Sequence, residues 1–333
     1  MSKAEDIISP LAKRDEDYQT TIQNEPLFEN PFHMEDLQVF DDATLKRLLD
    51  EGFSAFSLCD LARSLHGVPQ PLMRRVRRNV PTSRRSSFLK ELRRSITGDE
   101  IEVARRHVLD SLFWELTYWK TPDLYEELTE GERLHPGIFQ RLKPDLRNKV
   151  VLDVGAGSGR ATFECLRHGA RLVYAVEPSP GLLRILRQKS LHQSSSGRVI
   201  TLPGRFDAIP LEDESVDLAL ACSSFTAEPE HGGEAGLVEL KRVTKPGGKV
   251  VLIWPRTQDH EWLEARGFQG VTLSTDREMK VYFKSLRVAL RCAKRFYARN
   301  QRVLQYIRQH HQAEVPFSVL GFNPPRDYYW LAV

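Results

Sequence analysis

Residues 151–160 read Val-Leu-Asp-Val-Gly-Ala-Gly-Ser-Gly-Arg, an apolar run broken by an acid and followed by three glycines at alternate positions. Glycine lacks a Cβ, so such a loop turns tightly and lets a ligand approach the main chain. Here the spacing is Gly155, Gly157, Gly159, with Ala156 between the first two. A dinucleotide loop would space its small residues as GxGxxG, and Arg160 stands where the third would fall. Asp153 would repel a pyrophosphate but suits an ammonium group. Glu177 ends the next apolar run, 22 residues beyond Gly155 (177 − 155), a separation that suits an acceptor for both hydroxyls of a ribose. A later run over 216–220 leads to Cys222, Ser223, Ser224, Phe225 and Thr226, then Glu228, Glu230 and His231. His231 or Glu228 could act as a general base, and the same residues would equally make a solvated acidic loop.

These residues need a scaffold. Apolar runs at 150–154, 172–176, 199–202, 216–220 and 249–253 alternate with helical stretches. That rhythm predicts an α/β fold, a parallel sheet with helices on both faces. The chain ends on Tyr-Tyr-Trp-Leu-Ala-Val, which reads as one more strand. Residues 31–119 have a different texture and read as all-α. Asp41 and Asp42 precede Leu45, Leu48 and Leu49; Leu58, Leu61, Ala62 and Leu65 form a second stripe; Leu72, Met73 and Val76 follow Pro69 and Pro71. Pro81 opens a fourth helix, and Asp99 a fifth that is expected to run on through Trp119. Residues 1–30 show no period and are expected to be a flexible tail. The boundary between the helical segment and the α/β part is placed near Thr121-Pro122.

Composition bounds the rest. With 333 residues, 41% apolar and 28% charged, the chain has the profile of a soluble protein of about two domains. No apolar run approaches the roughly 18–20 residues of a membrane span. Cys59, Cys165, Cys222 and Cys292 lie far apart and form no CxxC pair, so no metal site is expected and a reducing, cytoplasmic setting fits. The net charge of +3 says little, but its distribution says more. Arginine and lysine crowd 74–94 and again 280–308, the latter on a stretch expected to be one long helix within a helical insertion near 284–312. Such faces bind phosphate backbones or acidic proteins, or are merely solvated. No RNA-binding motif accompanies them.

Residues 120–333 resemble the class I S-adenosylmethionine-dependent methyltransferases of the type 11 group. The resemblance is carried by the loop at 153–159, by Ala175-Val176-Glu177-Pro178-Ser179, by the Asp-Glu-Ser-Val-Asp-Leu at 213–218, and by the Lys-Pro-Gly-Gly turn at 245–248 within Glu-Leu-Lys-Arg-Val-Thr-Lys-Pro-Gly-Gly-Lys. It implies a Rossmann-like sheet and S-adenosylmethionine as cofactor. It implies that Asp153, Gly155, Ala156, Gly157 and Gly159 hold the methionine part, and that Glu177 and Pro178 attend the ribose. Phe206, Asp207 and Ser223 are the other cofactor contacts it suggests, with residues near 204–208 flanking the adenine. The group often carries an acid where Arg205 stands; arginine only donates, so Asp207 or a carbonyl would have to accept the adenine amino hydrogens. Aromatic residues ahead of the loop (Tyr118, Trp119, Tyr125, with His135) suit a lid over the cofactor. The acceptor implied is a small molecule of unstated identity. A non-catalytic S-adenosylmethionine-binding scaffold or sensor, and a nucleic-acid-associated protein using the basic helices, are the alternatives.

Residues 31–119 resemble the C-terminal helical region of the flagellar motor switch protein FliG. The matching stretches are Pro-Phe-His-Met-Glu-Asp-Leu at 31–37, Asp-Asp-Ala-Thr-Leu-Lys-Arg-Leu-Leu at 41–49, Leu-Ala-Arg-Ser-Leu-His-Gly at 61–67 and Arg78-Asn79-Val80. The charged positions that engage the stator fall on Ser83, Lys90 and Glu91 here, so the resemblance implies a helical interaction domain with a possible protein partner, not a rotor part.

Overall fold

The computed structural model describes residues 30–51, 56–192 and 197–333. The tail expected over 1–30 therefore lies outside the described residues, Asn30 excepted. The described chain divides into two compact units. The larger takes in Pro31–Thr129, Leu134–Ser274 and Pro325–Val333; the smaller holds Glu130–Arg133 and Thr275–Pro324. Among the described residues, no helix is long and apolar enough to cross a membrane.

In the larger unit the helical segment comes first: α1 (Asp42–Glu51), α2 (Leu58–Ser64), α3 (Gln70–Asn79), α4 (Arg85–Leu92), α5 (Gly98–Ser111) and α6 (Phe113–Lys120). Two of the starts are capping boxes. Ser57 accepts from Asp60 N at 3.0 Å while the Asp60 carboxylate takes the Ser57 N–H, and Thr97 and Glu100 repeat the exchange, satisfying donors that the first turn leaves open. The expected apolar faces are the ones that pack: Leu45, Leu49, Leu61, Leu65, Leu72, Val76 and Phe88 are all buried. The fifth helix departs from expectation. It breaks at Leu112 (φ −100°, ψ 11°) into α5 and α6, which re-aims the residues from Phe113 onward. The basic stretch at 74–94 is partly neutralised within this segment, because Arg75 and Arg78 bind Asp42 at 2.7 and 2.8 Å and Arg94 binds Glu91.

After α7 (Pro122–Gly131) and α8 (Pro136–Leu146) the alternation of strands and helices begins: β1 (Val150–Val154), α9 (Arg160–Arg167), β2 (Leu172–Val176), α10 (Pro180–His192), β3 (Val199–Leu202), β4 (Val216–Cys222), α11 (Gly233–Val243) and β5 (Thr244–Ile253). Two further strands, β6 (Gln269–Thr272) and β9 (Asp327–Ala332), complete a seven-stranded sheet in the order β3-β2-β1-β4-β5-β9-β6. The first five strands run parallel; β9 lies antiparallel between β5 and β6. This is the expected Rossmann-like α/β sheet. The short strand β6 has no counterpart in the sequence reading. Val150, Leu152 and Val154 pack into one apolar layer while Val151 packs into the other, as alternation requires of a strand covered on both faces.

Two of the sequence motifs turn out to be joints. Asp217 accepts from Val150 N at 2.8 Å and from Lys245 at 3.1 Å, pinning the start of β1 to β4 and to the start of β5. Arg242 ties Glu239 and Asp213 to the carbonyls of Ile209 and Leu211.

The smaller unit contains β7 (Lys280–Tyr282) paired antiparallel with β8 (Glu314–Pro316), and the helices α12 (Leu286–Phe296) and α13 (Gln301–His310). The single long helix expected across 284–309 is thus two. Asn300 sits at the break with its amide spent on the carbonyls of Val319 and Leu320, both at 3.0 Å.

Candidate functional site

The site forms at the carboxyl ends of the parallel strands, where open α/β sheets place their ligands. A cavity of about 760 Å³ lies there in the larger unit. Its floor is the turn after β1. Gly155, Gly157 and Gly159 all take positive φ (67°, 56° and 99°), which accounts for the three glycines. Their surroundings differ. A Cβ on Gly155 would meet the Ser224 hydroxyl at 2.5 Å, and one on Gly159 would strike Leu186 at 2.5 Å and Phe163 at 2.6 Å. Those two glycines serve packing, and Gly159 caps α9 without lining the cavity. A Cβ on Gly157 would point into open space. That is the position where only a ligand would occupy the room.

The acids are held in unusual environments. Asp153 is fully buried; its Oδ2 accepts from the Thr162 hydroxyl at 2.6 Å, while Oδ1 has no hydrogen-bond partner among the described residues. Burial pushes its carboxyl up to about 7, against the opposing pull of Thr162. It borders a small polar cavity of about 30 Å³ with Ala156, Ser158 and Arg160, room for a bridging water. Glu177 ends β2 and is also buried, which raises it to about 7. Its oxygens accept from Gly157 N at 2.9 Å and Ser179 N at 2.8 Å. A carboxylate has about four acceptor sites, so lone pairs remain for hydroxyls.

On the third side, β4 delivers Cys222 and then Ser223, which takes a positive φ of 51° and accepts from the Arg160 guanidinium. The loop beyond closes on itself: Thr226 N donates to the His231 carbonyl at 3.0 Å, and Gly233 N donates to the Thr226 carbonyl at 3.0 Å. This brings Glu228 and His231 to the cavity wall, both exposed. Glu228 is engaged by Arg256 at 3.0 Å. Phe225 turns inward and packs against Phe206 at 5.2 Å, so it supports the wall without forming it.

Pro178, Phe206 and Asp207 line the cavity as well, and Arg205 does so paired with Asp207 at 3.0 Å. Tyr118, Trp119 and Tyr125 join them from the helical side. His135 does not: it caps α8, its Nδ1 accepting from Gly137 N at 3.1 Å.

Residues 152–252 match the family model described as a methyltransferase domain. Over that stretch the chain is similar to methyltransferase domains. The buried unpartnered oxygen of Asp153 and the open space beside Gly157 would suit a cationic ligand. A methyltransferase-like protein of Schizosaccharomyces pombe is 35% identical over 116 residues, covering 34% of this chain and 42% of that protein. A methyltransferase of Mycobacterium tuberculosis is 33% identical over 120 residues, covering 35% of this chain and 44% of its own. The chain thus spans less than half the length of these relatives. Among solved structures, an S-adenosylmethionine-dependent methyltransferase from Aquifex aeolicus is 23% identical, with a TM-score of 0.38, over 48% of this chain and 92% of that one.

The matched methyltransferase segment supplies only part of the cavity. Arg47, Leu48, Phe56, Ser111, Leu112, Trp114 and Glu115 line it from the helical segment, and Arg256 from beyond β5. None of these was singled out from sequence as a site residue. The available signal was the spacing of Trp114, Glu115, Tyr118 and Trp119, which puts polar and aromatic groups on neighbouring turns of one helix. In sequence that pattern is indistinguishable from packing between domains.

Proposed function

We propose that the protein transfers the methyl group of S-adenosylmethionine to a small acceptor bound in the cavity beside the glycine turn. The observation that carries this reading is the cavity itself. It joins the glycine turn, Glu177 and the loop after β4 in one space, with a volume in the range of small-molecule sites. Asp153, Gly155, Ala156 and Gly157 would take the methionine part, with Gly159 shaping the turn. Glu177 and Pro178 would take the ribose, and Phe206, Asp207 and Ser223 the remaining contacts. Bound there, S-adenosylmethionine supplies a methyl group on a sulfonium, ready for in-line displacement. The chain's part is to align the acceptor and exclude water. His231 is the better of the two candidate bases, because Glu228 is already engaged by Arg256. The test is calorimetry with S-adenosylhomocysteine on the wild type and on Gly157→Val: binding in the first and none in the second is expected. Unchanged affinity in the variant would sink the placement.

The helical segment has a second reading as a protein-interaction module, after its likeness to FliG; its packed apolar faces support the helical fold of that reading. A cytoplasmic location is supported by the four free cysteines.

A further inference from the structure

The wall of the cavity is not neutral. It carries five carboxylates (Glu115, Glu177, Asp207, Glu228 and Glu230) against three arginines. Two of those arginines are paired, Arg205 with Asp207 and Arg256 with Glu228 and Asp259, which also spends Asp207 and Glu228 and leaves Glu115, Glu177 and Glu230 with Arg47. Helix α6 divides the space by function. Tyr118 belongs to the cofactor end: its carbonyl accepts from the Ser179 hydroxyl at 2.9 Å, next to Glu177. Glu115 lies three residues earlier, about 4.5 Å back along the helix axis; burial raises its carboxyl above the ordinary range, and it lines the same cavity as His231 from the loop after β4. Trp114 is beside it, stacked on Tyr118 at 6.0 Å, and Tyr125 meets Tyr118 edge-on at 4.8 Å. A carboxylate that shares a cavity with aromatic rings can recognise an organic cation by charge and by cation–π attraction together.

We propose that the acceptor is a small primary or secondary amine, bound as its ammonium ion by Glu115 against Trp114 and Tyr118, with His231 taking its proton. The proposal rests on the methyl-transfer reading above. The steps balance. The ammonium N–H proton passes to the His231 imidazole, leaving a lone pair on nitrogen. That pair forms the new N–C bond to the methyl carbon as the C–S bond breaks. The C–S electrons stay on sulfur, so the sulfonium becomes a neutral thioether and the product leaves as an N-methylammonium ion. Glu115 holds the cation before and after transfer, and His231 returns its proton to solvent.

The test uses the full chain saturated with S-adenosylhomocysteine and two probes of one shape, phenethylamine and 2-phenylethanol, titrated by calorimetry. The wild type should bind the amine about tenfold or more tightly than the alcohol, which is about 1.4 kcal/mol. Glu115→Gln should bring that ratio close to one while S-adenosylhomocysteine affinity holds, showing that the fold and the cofactor end survive. Trp114→Leu should weaken the amine and spare the cofactor in the same way. Glu115→Asp should keep part of the preference. Three results would overturn the proposal: no saturable amine binding, equal affinity for the two probes in the wild type, or a preference that persists in Glu115→Gln. The methyl-transfer reading fails separately, by absence of S-adenosylhomocysteine binding in the wild type, so the two failures are told apart.

Discussion

Asp153 and Glu177 are the residues where burial and function pull against each other. Each is pushed by desolvation to about 7. Their unfolded values lie near the ordinary carboxylate range, roughly 4. A raised acid contributes its stability below the unfolded value and loses it as pH climbs through the folded value, because the unfolded chain then releases its proton more readily. The ligand-free protein should therefore lose stability between about pH 4 and 7. A cationic cofactor reverses the sign locally: its ammonium favours ionised Asp153, so binding expels a proton. Affinity for S-adenosylhomocysteine should rise from pH 5.5 to 8, by up to about tenfold per unit below the folded value. In Asp153→Asn that slope should shrink. A flat profile in the wild type would remove Asp153 from the ammonium site. At the same scale, Gly157→Val should cost about 1–3 kcal/mol through its positive φ, and a thermal melt should still be cooperative.

At the scale of elements, the contact between α6 and the start of α10 fixes the aromatic wall. Gly181 shows how close it is: a Cβ there would lie 2.5 Å from the Tyr118 carbonyl and 2.9 Å from Pro122. Gly181 does not line the cavity. Gly181→Ala should nevertheless push α6 outward, lower stability by about 1–3 kcal/mol as overpacking does, and weaken S-adenosylhomocysteine binding measured by calorimetry. Loss of stability with unchanged affinity would mean that α6 does not form the cofactor wall. This contact also marks where sequence reasoning stopped. The strand runs and the glycine turn were legible because a buried parallel strand and a positive-φ turn restrict residue type strongly. The break at Leu112 was not, because no Gly or Pro marks it, and the short strand β6 was not, because Gln269-Gly270-Val271-Thr272 shows no apolar alternation. Glu115 and Arg256 were missed for a different reason: their role depends on which elements meet in space, and an isolated Glu or Arg on a helix or loop reads as surface.

At the scale of the molecule, the boundary proposed near Thr121-Pro122 is one that truncation can test. Helices α1 to α6 fall in the same compact unit as the sheet. They line the cavity with Trp114, Glu115 and Tyr118, and Lys120 bonds to Asp36 at the far end of the segment. Removing residues 1–120 would leave the matched stretch 152–252 intact. It would also strip the cavity of its aromatic wall and of the Tyr118 carbonyl that holds Ser179. A chain beginning at Thr121 should therefore melt lower than the full protein. It should bind S-adenosylhomocysteine at least tenfold more weakly, although the glycine turn and Glu177 are all present. Calorimetry on the two chains at one pH decides it. Equal affinity would mean that the α/β part completes the cofactor site alone, and that the helical segment serves the acceptor or a protein partner only.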